Sequence, residues 1–157
     1  MNFLHKLCTF NLNYDIIGTM MNKTFPNDMK AMHDKFGVHD WIEQNLNDKE
    51  KLQKFIEFRM NFIQEEFDET KRAIATGDCD EIVDGLIDIC VVALGTLDAF
   101  GVDSQVAWNR VHEANMSKQR GIKPERPNPL GLPDLMKPEG WTAPTHNDNT
   151  GHLPDAF

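Results

Sequence analysis

DEIVDGLIDICVVALGTLDAFG, residues Asp80 to Gly101, is apolar almost all the way round when it is wound as a helix. Ile82, Val83, Leu86, Ile87, Ile89, Cys90, Val91, Leu94, Leu97 and Phe100 leave little polar surface, so the pattern predicts a helix running through the middle of the protein. At about 100° per residue, Glu81, Asp84 and Asp88 nevertheless fall within roughly 60° of one another, on a single stripe. Carboxylates lined up on a buried helix repel one another and lose hydration, which costs on the order of several kcal/mol unless a cation faces them. No Lys, Arg or His lies within this helix. A divalent metal is the economical partner.

The preceding segment supplies more acidic groups. Asp48 to Gly77 reads as one long helix with an apolar seam at Ile56, Met60, Ile63, Phe67 and Ile74. Glu66 and Glu69, one turn apart, lie beside that seam on a flank shared with Arg59, Phe62 and Ala73, whereas Glu65 points to the opposite side. The short Gly77-Asp78-Cys79 connection predicts antiparallel packing, with Glu66 and Glu69 opposite Glu81 and Asp84. Four carboxylates make an all-oxygen site for a hard cation. Mg²⁺ suits it when phosphate oxygens complete the coordination, and Mn²⁺ is a substitute.

The 157 residues amount to one domain, and a net charge of -9 with a pI near 5.0 argues against a nucleic-acid surface, which needs a basic face. Cys8, Cys79 and Cys90 form no CxxC pair and give neither a disulfide framework nor a zinc site; Cys90 reads as a small core residue. A reducing, cytoplasmic location is the expectation. Residues 1–21 are too broken by Asn11, Asn13 and Asp15 for a secretory signal, and read as a poorly ordered extension with an alternative start at Met20-Met21. No run reaches about 18 apolar residues, so no membrane span is expected.

The chain from 22 to 120 reads as an all-α domain. Pro26-Asn27 opens a first helix, Asp28 to Phe36, closed by Gly37. A short helical piece near Val38 to Leu46 carries Trp41; the two long helices follow; a last helix capped by Asp103 or Ser104 runs to about Gln119. Seven of the eight prolines lie between Lys123 and Pro154, so residues 121–157 form a non-helical tail, either wrapped over the body or loose, with Trp141 as its anchor.

Glu65-Glu66-x-x-Glu69 and, after eleven intervening residues, Glu81-x-x-Asp84 resemble the EExxE…ExxD signature of the MazG-like, all-α nucleoside triphosphate pyrophosphohydrolases. That superfamily takes in dimeric dUTPases, dCTP pyrophosphatases and phosphoribosyl-ATP pyrophosphohydrolases. Asn115-Met116-Ser117-Lys118 resembles the family's N-x-x-K, Met32 to Phe36 with Asp40-Trp41 resembles its first-helix LHxxF…DW stretch, and the tail resembles phage and bacterial members ending in KPxGW. The resemblance spans roughly residues 27–144 and implies a four-helix MazG-like bundle that hydrolyses a nucleoside triphosphate to monophosphate and pyrophosphate. It further implies metal at Glu66, Glu69, Glu81 and Asp84, a nucleotide near Asn115, phosphates on Lys118 with Arg120 or Arg59, and a base near His33 and Trp41. Asp88, Glu65 and Glu66 are the candidates for the carboxylate that takes a proton from the attacking water. Phosphoribosyl-ATP or an alarmone is the alternative substrate.

Plainer readings exist for each residue. Glu65 to Glu69 alone resemble a solvated helix face, Asp88 can bond a neighbouring helix, Lys118 suits a helix C-terminus, and His33 and Trp41 suit half-buried packing. A carboxylate-bridged di-iron bundle needs Glu-x-x-His, and no acidic residue precedes any of the six histidines by three. A non-enzymatic helical adaptor would account for amphipathic helices but not for carboxylates aimed inwards. A central helix this apolar leaves a face to cover, which predicts a homodimer or homotetramer, and the resemblance implies the same.

Overall fold

In the computed structural model, which describes residues 24–157, four of the five α-helices begin where a side chain accepts from a free N–H group. The extension read over residues 1–21, with Cys8, lies outside the described residues. Helix α1 (Phe25–Phe36) is capped by Thr24, whose hydroxyl accepts from the Asn27 N–H, so it starts three residues before the expected Asp28. Gly37, in the left-handed region at φ 71°, ends α1 and turns the chain directly into α2 (Val38–Asn45). Asp48 caps α3 (Lys49–Thr76), and Gly77 at φ 73° closes it. Asp78 caps α4 (Cys79–Ala99), and Asp103 caps α5 (Ser104–Met116). The last helix stops short of Gln119 because Gln119–Gly121 pairs, as strand β1, with Asp134–Met136 (β2) in a small antiparallel ribbon. Five α-helices and this ribbon, with a closing 3₁₀ turn at Leu153–Ala156, make the described chain an all-α protein, as the helical periodicity predicts.

The core forms at one end of the α3/α4 pair. Ile42, Leu52, Ala99, Phe100, Val102 and Ala156 are buried together, with Phe55 bridging Phe100 and the Trp41 ring stacked on its other side. Ala156 belongs to the tail, which is therefore wrapped over the body. His152 donates its backbone N–H to Phe100 O, Lys49 Nζ to Phe157 O, and Arg110 grips Asp148 with both guanidinium nitrogens at 2.6 and 2.7 Å. Trp141 anchors the tail's middle by donating its indole N–H to Ala114 O.

Two expectations about packing need correction. Only part of the α3 seam turns inwards: Ile56 packs against the core, but Met60, Phe67 and Ile74 are exposed, and the flank carrying Arg59, Thr70 and Ala73 faces α4 instead. The reason is close approach. A Cβ on Gly85 would overlap Thr70 Oγ1, and one on Gly95 would lie 2.8 Å from the Arg59 guanidinium, so the helices meet where α4 is thinnest. Nor is α4 buried all round. Val83, Leu86 and Ile87 are 63%, 52% and 51% exposed, and Cys90 is also exposed rather than in the core, because the first half of α4 packs chiefly on α3.

Candidate functional site

The Gly85–Thr70 approach sets the register of the acidic groups. With Thr70 against Gly85 and Arg59 against Thr96, an antiparallel pair places Glu66 beside Asp88 and Glu69 beside Asp84. On the same helix Glu81 lies one turn before Asp84, towards Gly77. Electrostatics agree. Burial raises the Glu66 carboxyl above the ordinary glutamate range, and the neighbouring Asp88, Glu69, Asp84 and Glu65 raise it further. Glu66 and Asp88 are half-buried, whereas Glu65, Glu69, Glu81 and Asp84 are exposed, and Glu69 holds Arg72 at 3.2 Å. The acidic stripe therefore opens on one side of the helix pair instead of being sealed within it. All its donors are oxygens and, among the described residues, only Glu69 has a cationic partner, a set that fits a hard divalent ion.

Arg59 is committed to the helix interface. Its Nε donates to Thr96 Oγ1 at 3.1 Å and Nη2 to the Val92 carbonyl at 3.0 Å, and burial lowers its pKa. It closes the C-terminal half of the α3/α4 seam instead of reaching for phosphate. His33 is likewise turned inwards, 2% exposed, with Nδ1 at 2.8 Å from Asp98 Oδ2, so its ring offers no open face to a base. Trp41 does keep an open edge while stacked on Phe55. Asn115 and Lys118 meet at the end of α5, where Lys118 Nζ donates to Asn115 Oδ1 at 2.8 Å and lies 5.2 Å from the Trp141 ring centre. Lys137, from the tail, lies 4.6 Å from the same ring. Arg120 sits exposed on β1 opposite Leu135. Among the described residues, no hydrogen bond or ion pair joins Asn115, Lys118 or Arg120 to the carboxylates.

Sequence reading overlooked a second polar centre, formed by His33, His39 and Asp98. It also overlooked the tail's Lys137 beside Lys118. Asp98 was legible only as an acidic residue near the C-terminus of an apolar helix, since it lies off the Glu81-Asp84-Asp88 stripe. His39 was not, since only the Gly37 turn brings it over His33.

No curated protein matches the chain. Among the described helices, no single one is long and apolar enough to cross a membrane. The family model described as phosphoribosyl-ATP pyrophosphohydrolase matches residues 37–115, just over half of the chain, from the α1–α2 turn to the end of α5 and across Glu65, Glu66, Glu69, Glu81, Asp84 and Asp88. With the acidic register of α3 and α4 lying inside that match, the chain belongs to the phosphoribosyl-ATP pyrophosphohydrolase family of the MazG-like all-α superfamily, nucleotide pyrophosphohydrolases that act on phosphoric anhydrides.

Proposed function

We propose that this chain hydrolyses a ribo- or deoxyribonucleoside triphosphate between its α- and β-phosphates, giving the monophosphate and pyrophosphate in a Mg²⁺-dependent reaction. The observation that supports this most is the crowd of carboxylates around Glu66, whose mutual repulsion and partial burial call for a cation. Glu66, Glu69 and Asp84 would hold it, with Glu81 reaching in from one turn away. Mg²⁺ held there supplies positive charge against the triphosphate and against the charge that develops as the anhydride breaks.

The chain's own groups do the rest. Asp88 is half-buried beside Glu66 and lies outside the cation-binding set, which suits it to accept a proton from water. As that water's oxygen bonds to the α-phosphorus, the α–β anhydride bond breaks in line and pyrophosphate leaves with the electron pair. Lys118, oriented by Asn115 and joined by Lys137 across Trp141, offers ammonium groups to phosphate oxygens. Trp41 offers a stacking edge to a base. The exposed strip of Val83, Leu86 and Ile87 on α4, with Met60, Phe67 and Ile74 on α3, supports a homodimer or homotetramer that covers it.

Phosphoribosyl-ATP is the second substrate reading, favoured by the description of the matching family. A panel of NTPs, dNTPs and phosphoribosyl-ATP with Mg²⁺, scored for pyrophosphate and orthophosphate, tests both. Pyrophosphate release from a triphosphate is expected, and Glu66→Gln and Asp84→Asn should abolish it with the helical circular dichroism intact. Orthophosphate as the sole phosphorus product, or full activity in either variant, overturns the proposal.

A further inference from the structure

His33 on α1, His39 on α2 and Asp98 near the end of α4 converge from three helices on one point. His33 Nδ1 and His39 Nε2 each lie 2.8 Å from the same oxygen, Asp98 Oδ2, and one donor atom from each residue falls within 4.8 Å of the others. The left-handed Gly37 sets this up by folding α2 back so that the two rings meet edge to face at 5.6 Å. Gly95 adds room, since a Cβ there would lie 3.2 Å from the His33 ring.

Hydrogen bonding makes the arrangement informative. His39 Nδ1 lies 2.6 Å from Asp34 Oδ1 and Nε2 2.8 Å from Asp98 Oδ2, so the ring either donates to both carboxylates as an imidazolium or, as the neutral Nδ1–H tautomer held by Asp34, presents an Nε2 lone pair beside Asp98. In the neutral tautomer the facing lone pairs of Nε2 and Asp98 Oδ2, 2.8 Å apart, repel unless a cation stands beside them, the arrangement of a metal ligand pair. An ordered carboxylate behind a ligand imidazole is also the usual support of a metal-binding histidine, fixing its tautomer and orientation. Two imidazole nitrogens and one carboxylate oxygen suit a borderline divalent ion far better than Mg²⁺, which prefers oxygen throughout. Access exists as well. His39, Asp98 and Asp34 line a cavity of about 780 Å³ between α1, α2 and the start of α5, which leaves a path in and a coordination position open.

We propose that His33, His39 and Asp98 form a second metal site, selective for Zn²⁺ or a similar borderline divalent ion, with Asp34 as the positioning residue behind His39. This site is separate from the acidic cluster. Asp98 lies ten residues beyond Asp88 on α4, about 15 Å along the helix axis. The inference stands whether or not the triphosphate chemistry above is right.

The test is binding, not turnover. In a Glu66→Gln/Asp84→Asn background, which silences the carboxylate cluster, equilibrium dialysis should find one Zn²⁺ per chain. Co²⁺ in its place should show visible absorption typical of imidazole ligation. Adding His39→Ala or Asp98→Asn should weaken Zn²⁺ binding at least 100-fold and remove the Co²⁺ bands, with circular dichroism confirming that each variant is folded. Asp34→Asn should weaken binding by about 10- to 100-fold at unchanged stoichiometry. Absence of Zn²⁺ binding in that background, or equal binding after His39→Ala and after Asp98→Asn, overturns the assignment; the cluster is then a protonated His39 shared by two aspartates.

Discussion

Replacing Gly85 by alanine tests the contact on which the acidic site rests. The added Cβ would overlap Thr70 Oγ1 and lie 3.4 Å from Thr70 Cβ and 3.6 Å from Glu66 O. Rotating Thr70 gives no relief, because its methyl group would replace its hydroxyl, and the hydroxyl already donates to Glu66 O at 2.8 Å. The helices must therefore separate. Overpacking of this kind costs about 1–3 kcal/mol, while Gly→Ala in a helix interior returns about 1 kcal/mol, so the variant should be destabilised by about 0–2 kcal/mol. The sharper prediction is the coupling. In a Thr70→Ala background the overlapping oxygen is gone, so the same Gly85→Ala change should stabilise by up to about 1 kcal/mol, a pairwise coupling of about 1–3 kcal/mol. Urea unfolding followed by helical circular dichroism measures all four corners of the cycle. Pyrophosphate release should fall in Gly85→Ala, as Glu66 and Glu69 draw away from Asp88 and Asp84, and recover in the double variant. Additive energies within about 0.5 kcal/mol would refute the idea that this approach sets the helix spacing.

Other perturbations probe the rest of the molecule. Leu52→Ala removes a side chain with no exposed surface from the core under Trp41 and should cost about 2–5 kcal/mol in the same unfolding assay. Leu86→Asp places a charge on the exposed apolar strip of α4 and should leave each chain folded but reduce the mass by light scattering to that of one chain; an unchanged mass would count against assembly through this face. Hydrogen bonds from Arg110 hold the Asp148 carboxyl down to about 2. A depressed carboxyl adds its stabilisation above the unfolded value near 3.8 and loses it as pH falls towards 2, so the Arg110–Asp148 link should be intact at pH 5–7 and lost in that acid window, while Ala156 and Trp141 keep the tail docked. Urea unfolding against pH reads this, and Arg110→Gln should abolish the pH dependence in that window with the tail still docked.

How much of this was legible in the chain divides along physical lines. Helices announce themselves locally, so the caps at Asp48, Asp78 and Asp103 and the stops at Gly37 and Gly77 are readable within a few residues. The i, i+3 spacing of Glu66 with Glu69 and of Glu81 with Asp84 places each pair on one helix face for the same reason. Facing geometry is different, because it depends on which surfaces can approach. Hydrophobic periodicity alone puts Met60, Phe67 and Ile74 inside, yet the space left by Gly85 and Gly95 draws the Arg59–Thr70–Ala73 flank inwards and shifts the acidic register towards Asp88.

Sequence by itself determined the all-α class, the two long helices and the acidic signature, since each depends on residues near one another along the chain. Only the tertiary structure decided that Glu66 faces Asp88, that Arg59 is spent on the helix seam, and that His33 and His39 share Asp98. Those contacts join residues up to 65 positions apart, and no local propensity encodes a distance between helices.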